Sequence, residues 1–224
     1  MEATPLRMTS FTKDAAEFLP ILFQGLRLTI IVTLGSLLLS TLLGLVWALM
    51  RVSGLRTLAL VSATIINVIR GIPIIVQLFY IYFVLPDFGI ALSALEAAII
   101  GLGIAYSAYH AENFRAGIEA IDHGQIEAAQ SIGMGWWTIM GRVILPQAVK
   151  IVLPPFGNIV VMMLKDSSQA STITVAELAL QGKLIASSTF KNTSVFTLVA
   201  LMYLTMSIPL ILLVRHFEKK AGHR

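Results

Sequence analysis

Three ionisable residues stand where the surrounding sequence is otherwise apolar: Arg70 in Arg70-Gly71-Ile72-Pro73, Glu112 between Ala111 and Asn113, and Asp166 beside Lys165. An ionisable side chain facing lipid costs roughly 2.5–3.5 kcal/mol on insertion scales, so each is expected to face protein or a polar path. What such groups can do is solvate and orient a polar solute at depth. Bond-breaking signatures are missing: there is no H-E-x-x-H pair and no G-x-S-x-G elbow, and His110, His123, His216 and His223 are scattered. No G-x-x-x-x-G-K-[ST] phosphate loop occurs either, so any ATP hydrolysis belongs to another polypeptide. Each charged residue also has a purely structural reading. Glu112 can pair with Arg115 three residues on. Arg70 can clamp carbonyls freed by Pro73, and Asp166 can pair with Lys165. His110 is expected to pack or hydrogen-bond among Tyr106 and Tyr109, not to bind metal.

The chain that must position them has 224 residues, 57% hydrophobic and 12% charged, with a mean hydropathy of +0.84. Soluble domains carry an apolar share of about 45–50%, so this is an integral membrane protein. Without cysteine there is no disulfide framework, thiolate metal site or cysteine nucleophile. The formal charge of +4 is what basic cytoplasmic loops give a membrane protein, and nucleic acid is not an expected partner. Residues 1–20 hold Glu2, Arg7, Lys13, Asp14 and Glu17 without an apolar run, so they are not read as a cleaved signal. Phe11, Ala15, Phe18, Leu19 and Leu22 share one helical face, which fits a short interfacial helix as well as a frayed tail.

Hydropathy predicts an all-α protein of five spans, at about 26–50, 57–85, 91–116, 147–165 and 193–215, within a domain over 21–218 and followed by a tail at 219–224. In the first, Ser36, Ser40, Gly44 and Ala48 recur every fourth residue as a small-residue ridge for a neighbouring helix. The second is broken by Arg70-Gly71-Ile72-Pro73, and irregular backbone at membrane depth survives only against protein or water. The fourth contains Pro154-Pro155 and is too short to cross without its flanks. Placing the N-terminus outside and the C-terminus in the cytoplasm puts nine Lys and Arg inside and five outside, the favoured bias.

Between the third and fourth spans, on the cytoplasmic side, residues 117–145 form a connection too long for a simple loop and too apolar for disorder. Asp122 with Gln125 resembles a capping box, and Gly133 suits the left-handed end of that helix. A second short helix is expected from Trp136 to just before Pro146. Such a hairpin fits either a partner's groove or the headgroup layer, where Trp136 and Trp137 would be at home.

Glu127-Ala128-Ala129, three residues, Gly133, nine residues, then Val143-Ile144-Leu145-Pro146 resembles the E-A-A…G…I-x-L-P segment of the membrane subunits of bacterial binding-protein-dependent ABC importers. The likeness runs from about Leu22 to Glu218. Gly25-Leu26 with Thr29, Arg51-Val52-Ser53, Arg70-Gly71-Ile72-Pro73 with Val76-Gln77, Ala111-Glu112 with Arg115-Ala116-Gly117, and Lys165-Asp166-Ser167-Ser168 are similar to the branch that carries polar amino acids and opines. Gln169 and Ala170, and His110 and Asn113 around Glu112, depart from that branch's usual apolar residues.

The resemblance implies a permease core of five transmembrane helices with a coupling-helix pair, located in the bacterial inner membrane. Its implied partners are a dimer of ATPase subunits, an external substrate-binding protein, and a second or homologous permease. ATP and Mg would sit on the ATPase, with no cofactor in this chain. Glu127, Ala128, Ala129, Gly133 and Pro146 would form the joint to the ATPase. Arg70, Glu112 and Asp166 would line a path for a zwitterion, since short or proline-broken spans point to transport sites. Asp166 also reads as an interfacial ion pair with Lys165 or as a surface for the binding protein, ahead of ligand contact. A self-sufficient channel or secondary transporter is the rival reading, although no inverted repeat supports it.

Overall fold

A computed structural model describes residues 8–221. Its helices are α1 (Met8–Val52), α2 (Arg56–Gly71), α3 (Ile74–Phe79), α4 (Ala94–Glu119), α5 (His123–Ser131), α6 (Trp136–Ile139), α7 (Leu145–Asp166), α8 (Leu178–Thr189) and α9 (Asn192–Ala221). No strand occurs among the described residues.

α1 and α4 form the centre. They run parallel, with Gly35 against Ile99, Gly103 against Leu39, and Gly44 against His110. The small-residue ridge makes this approach possible: Ser36, Ser40 and Ala48 are fully buried, and Ser36 Oγ donates to Ile99 O at 3.1 Å. A Cβ at Gly44 would lie 2.6 Å from His110 Cβ and 2.9 Å from Ser107 O. On its other side α1 exposes Leu34, Leu38, Leu42, Leu45 and Leu49, the stripe a lipid-facing helix needs.

Around this pair, α3, α4, α7 and the short helical turns that follow α3 and α7 close a core of Leu78, Ile81, Leu102, Tyr106, Met163 and Ile173. A second core joins α1 to α8 and α9 through Phe18, Leu22, Leu178, Ile185, Val195 and Leu198. The apolar face ahead of the first span therefore belongs to no separate interfacial helix. α1 continues through Pro20, and Phe18 and Leu22 are buried against protein. Residues 1–7 lie outside the described part.

Three helical segments are long and apolar enough to cross a membrane: Phe11–Val52, Trp136–Ile173 and Asn192–Lys219. Arg56–Gly71 with Ile74–Phe88 is a fourth if counted as one span, bent by 97°. α4, expected as the third span, is long but diluted by Gly101, Gly103, Ser107, His110 and Glu112. It is the helix most enclosed by others, so its surface needs little apolarity. Its start is fixed by a capping box, with Ser93 and Glu96 exchanging hydrogen bonds with each other's backbone.

The short span expected at 147–165 is corrected by its flanks. Trp136 to Ile173 is one continuous helical run, so Pro146 does not stop the helix before it. Pro146 lacks an N–H and crowds the carbonyl four residues back. The backbone absorbs this with one wide π turn over Met140–Ile144, in which Leu145 N–H donates to Met140 O.

Candidate functional site: a helical hairpin and a polar line across α4

The hairpin is built on local chemistry. Asp122 caps α5, its carboxylate accepting from Gly124 N at 2.6 Å. Gln125 does not complete the expected box. Its carbonyl accepts instead from Gln147 Nε2 at 2.6 Å, which ties α5 to α7. α5 ends in a Schellman motif: Gly133 N–H donates to Gln130 O at 2.9 Å and Met134 N–H to Ala129 O at 3.1 Å. Gly133 has φ of +80°, which any Cβ would strain. No other part of the chain comes within 4 Å of where that Cβ would be, so the space beside Gly133 is open.

Ile121, Ala129, Ile139, Ile144 and Ala148 close a small core beneath the hairpin. Of the expected joint residues, Ala129 belongs to this core, while Glu127, Ala128, Gly133 and Pro146 are exposed. Around them Ile132 is 78% and Trp137 82% exposed, and Trp136 stacks edge-on against Trp137. Glu127 has no ion-pair partner among the described residues. The outer face is thus apolar with one unpaired carboxylate, on a base that holds itself rigid.

Within the membrane, two of the three charged candidates are drawn toward α4. The Arg70 guanidinium lies over the Tyr109 ring at 5.7 Å. Tyr109 packs on Tyr106 at 5.7 Å between centroids, and Tyr106 Oη donates to Asp166 Oδ2 at 2.6 Å. A cation from α2 and an anion from α7 are linked through two aromatic rings of α4. Lys165 takes no part: it is exposed and pairs with no carboxylate among the described residues.

Glu112 is not brought to this line. Arg115 Nε and Nη2 donate to its Oε2 at 3.0 and 2.6 Å, and Arg115 Nη1 bonds Glu119, so the charge is balanced near the hairpin end of α4. His110 is fully buried, packed on Phe114 and Phe156 and not on Tyr106 or Tyr109. Neither of its ring nitrogens has a hydrogen-bond partner among the described residues.

Two residues escaped sequence reasoning. The carbonyls at the break are clamped by Gln77, not Arg70: its Nε2 donates to Ile69 O and Ile72 O, both at 2.9 Å. A glutamine four residues past a helix-breaking proline was the available signal. Glu177, fully buried, accepts from Ala179 N and Leu180 N at 2.9 Å, from Tyr203 Oη at 3.0 Å and from Thr29 Oγ1 at 3.4 Å. It caps α8 and ties that helix to α1 and α9.

The family described as binding-protein-dependent transport system inner membrane component matches residues 40–223. A probable amino-acid ABC transporter permease protein, YckA of Bacillus subtilis (strain 168), is 37% identical over 212 residues, covering 95% of this chain and 94% of that one. The glutamine transport system permease protein GlnP of Escherichia coli (strain K12) is 33% identical over 204 residues, covering 90% and 93%. A crystal structure of an amino acid ABC transporter with histidines superposes with a TM-score of 0.85 at 38% identity, covering 98% of this chain and 100% of that one. An inward-facing MetNI methionine ABC transporter shares the fold, with a TM-score of 0.70 at 18% identity over 92% and 96% of the two chains.

Proposed function

We propose a specific role for this chain, which belongs to the binding-protein-dependent transport inner membrane components as an amino-acid ABC transporter permease. It is the membrane subunit through which an ATP-driven importer moves a polar α-amino acid by alternating access. Its core is residues 21–218, with the N-terminus outside and the C-terminus in the cytoplasm of a bacterial inner membrane. It works as a pair with a second copy or a similar permease. ATP and Mg stay on a separate ATPase, and an external binding protein delivers the substrate.

The observation that carries this reading is the hairpin. Capping, the Schellman turn and a private core make it stiff, yet Ile132, Trp137, Ala128 and Glu127 remain uncovered and the space beside Gly133 is empty. A stiff helix pair with an uncovered apolar face suits a groove in the ATPase. A self-sufficient channel has no use for such a joint.

At the other end of the pathway, Arg70 and Asp166 offer the complementary charges an amino acid zwitterion needs: guanidinium for carboxylate, carboxylate for ammonium. Tyr109 and Tyr106 form the wall between them. Relatives that bear glutamine and L-cystine in their names agree with an α-amino acid substrate and leave its side chain open.

The test is reconstitution into vesicles of the chain alone, and of the chain with the ATPase and binding protein that accompany it from the native membrane. Uptake is expected only with the full set and ATP. Accumulation by the chain alone would establish the channel or secondary-transporter reading instead.

A further inference from the structure

The bend between α2 and α3 places Arg70, and its geometry has an identifiable cause. In an unbroken helix Ile69 O would accept from the N–H four residues on, but that residue is Pro73, which has none. Ile72 is forced into extended backbone at φ −109°, ψ 129°, as the residue before proline prefers, so its carbonyl also leaves the helix. Val76 N–H and Gln77 N–H both turn to Pro73 O, at 3.0 and 3.1 Å, and leave Ile72 O without its usual donor. Two carbonyls are stranded at a corner flanked by apolar residues, where each unmade hydrogen bond is expensive. Of the two ends of the Gln77 amide only the NH₂ can serve both, which fixes its orientation.

We infer that Gln77 locks the corner between α2 and α3, and thereby sets where the Arg70 guanidinium stands over Tyr109. One of its two acceptors, Ile69, is the residue adjacent to Arg70, and the other, Ile72, lies two residues beyond it. Packing of Ile66 and Leu78 against α4 holds the two arms of the 97° bend, but without the amide the two carbonyls at the corner keep only the weak Ile72 N–H to Ile69 O contact, at 3.4 Å. Gln77 itself touches no substrate and acts through the backbone of the arginine's segment. Its consequence for transport rests on the reading of Arg70 as a substrate-binding group.

The test uses the full reconstituted complex. The chain has no cysteine, so an Ile72→Cys variant labelled before assembly carries one nitroxide per copy, at the corner. Gln77→Met keeps the length of the side chain and removes both donors. It is expected to mobilise the label and to lower amino acid moved per ATP hydrolysed by roughly tenfold, with the ATPase rate held within about twofold. A merely structural defect would lower transport and ATP hydrolysis together.

Arg70→Met is expected to lower transport per ATP by a similar factor, and the double variant no further, since both act on one group. Should Gln77→Met fail to assemble, Gln77→Asn keeps the donors on a shorter arm and is expected to give intermediate mobility. An unmoved label in Gln77→Met or Gln77→Asn, or losses that multiply in the double variant, would overturn the inference. Normal transport by Arg70→Met beside a mobilised label rejects the substrate role of Arg70 and leaves the lock standing.

Discussion

The hairpin and the polar line solve opposite problems. The hairpin takes its whole structure from about thirty consecutive residues and turns its distinctive side chains outward, so its geometry is complete while its function is not. The polar line takes one residue or two from each of three helices far apart in sequence and turns them toward one another, so geometry and function both depend on the packing of the whole bundle. A change in the hairpin should therefore leave the fold intact and break an encounter. A change in the line should alter what is carried while the encounter survives.

Gly133→Asp makes the sharpest break. It adds a charge and a strained left-handed residue at an open position, and uptake by the reconstituted importer is expected to fall to background while the protein inserts normally. Glu127→Lys, which reverses the unpaired carboxylate, should do the same. Gly133→Ala sharpens the point: strain alone costs about 1–2 kcal/mol, and no atom of the chain stands in the way. A loss of uptake beyond that strain would measure what the ATPase places beside it, so the comparison of interest is co-purification of the ATPase with each variant.

For the polar line, Asp166→Asn keeps an acceptor for Tyr106 but removes the charge. Transport per ATP should drop by about one to two orders of magnitude, the scale of one charge-assisted hydrogen bond of roughly 1.5–3 kcal/mol, with ATPase activity retained. Loss of ATPase coupling in Asp166→Asn, or retention of it in Gly133→Asp, would dissolve the contrast.

Next in size is Glu177→Ala, which removes a helix cap and takes the carboxylate acceptor from the Tyr203 hydroxyl, while Thr29 keeps its bond to Gly25 O. It should cost on the order of 2–4 kcal/mol and lower the thermal midpoint in detergent. Least is Ser93→Ala, where loss of the two exposed bonds of the cap hydroxyl to Glu96 is expected to cost about 1 kcal/mol without touching transport.

The same contrast decides what could be read in advance. Asp122 and Gly133 announce themselves because a cap and a Schellman turn are complete within a dozen residues. Gln125 misled because its actual partner, Gln147, is 22 residues away. Pro146 reads as a helix end, since sequence does not reveal that a π turn will absorb it. Arg70 and Asp166 were visible as charges out of place, but their common attachment to α4 was not. That depends on Tyr106 and Tyr109 presenting adjacent rings, and Tyr106 and Asp166 are 60 residues apart. Glu177 was invisible for the same reason: before an apolar run it reads as an ordinary helix start, and only Thr29, 148 residues earlier, and Tyr203 reveal it as buried.

The continuous run from Trp136 to Asp166 carries more meaning than its length. At about 1.5 Å per residue it is a column of roughly 45 Å, with the exposed tryptophans near its foot and the Asp166 carboxylate near its head. Nothing has to be relayed between them. On the proposed roles of the hairpin and of Asp166, tilting the foot would reposition the carboxylate in the same instant, and the moment of cargo release would follow from the posture of one continuous strut.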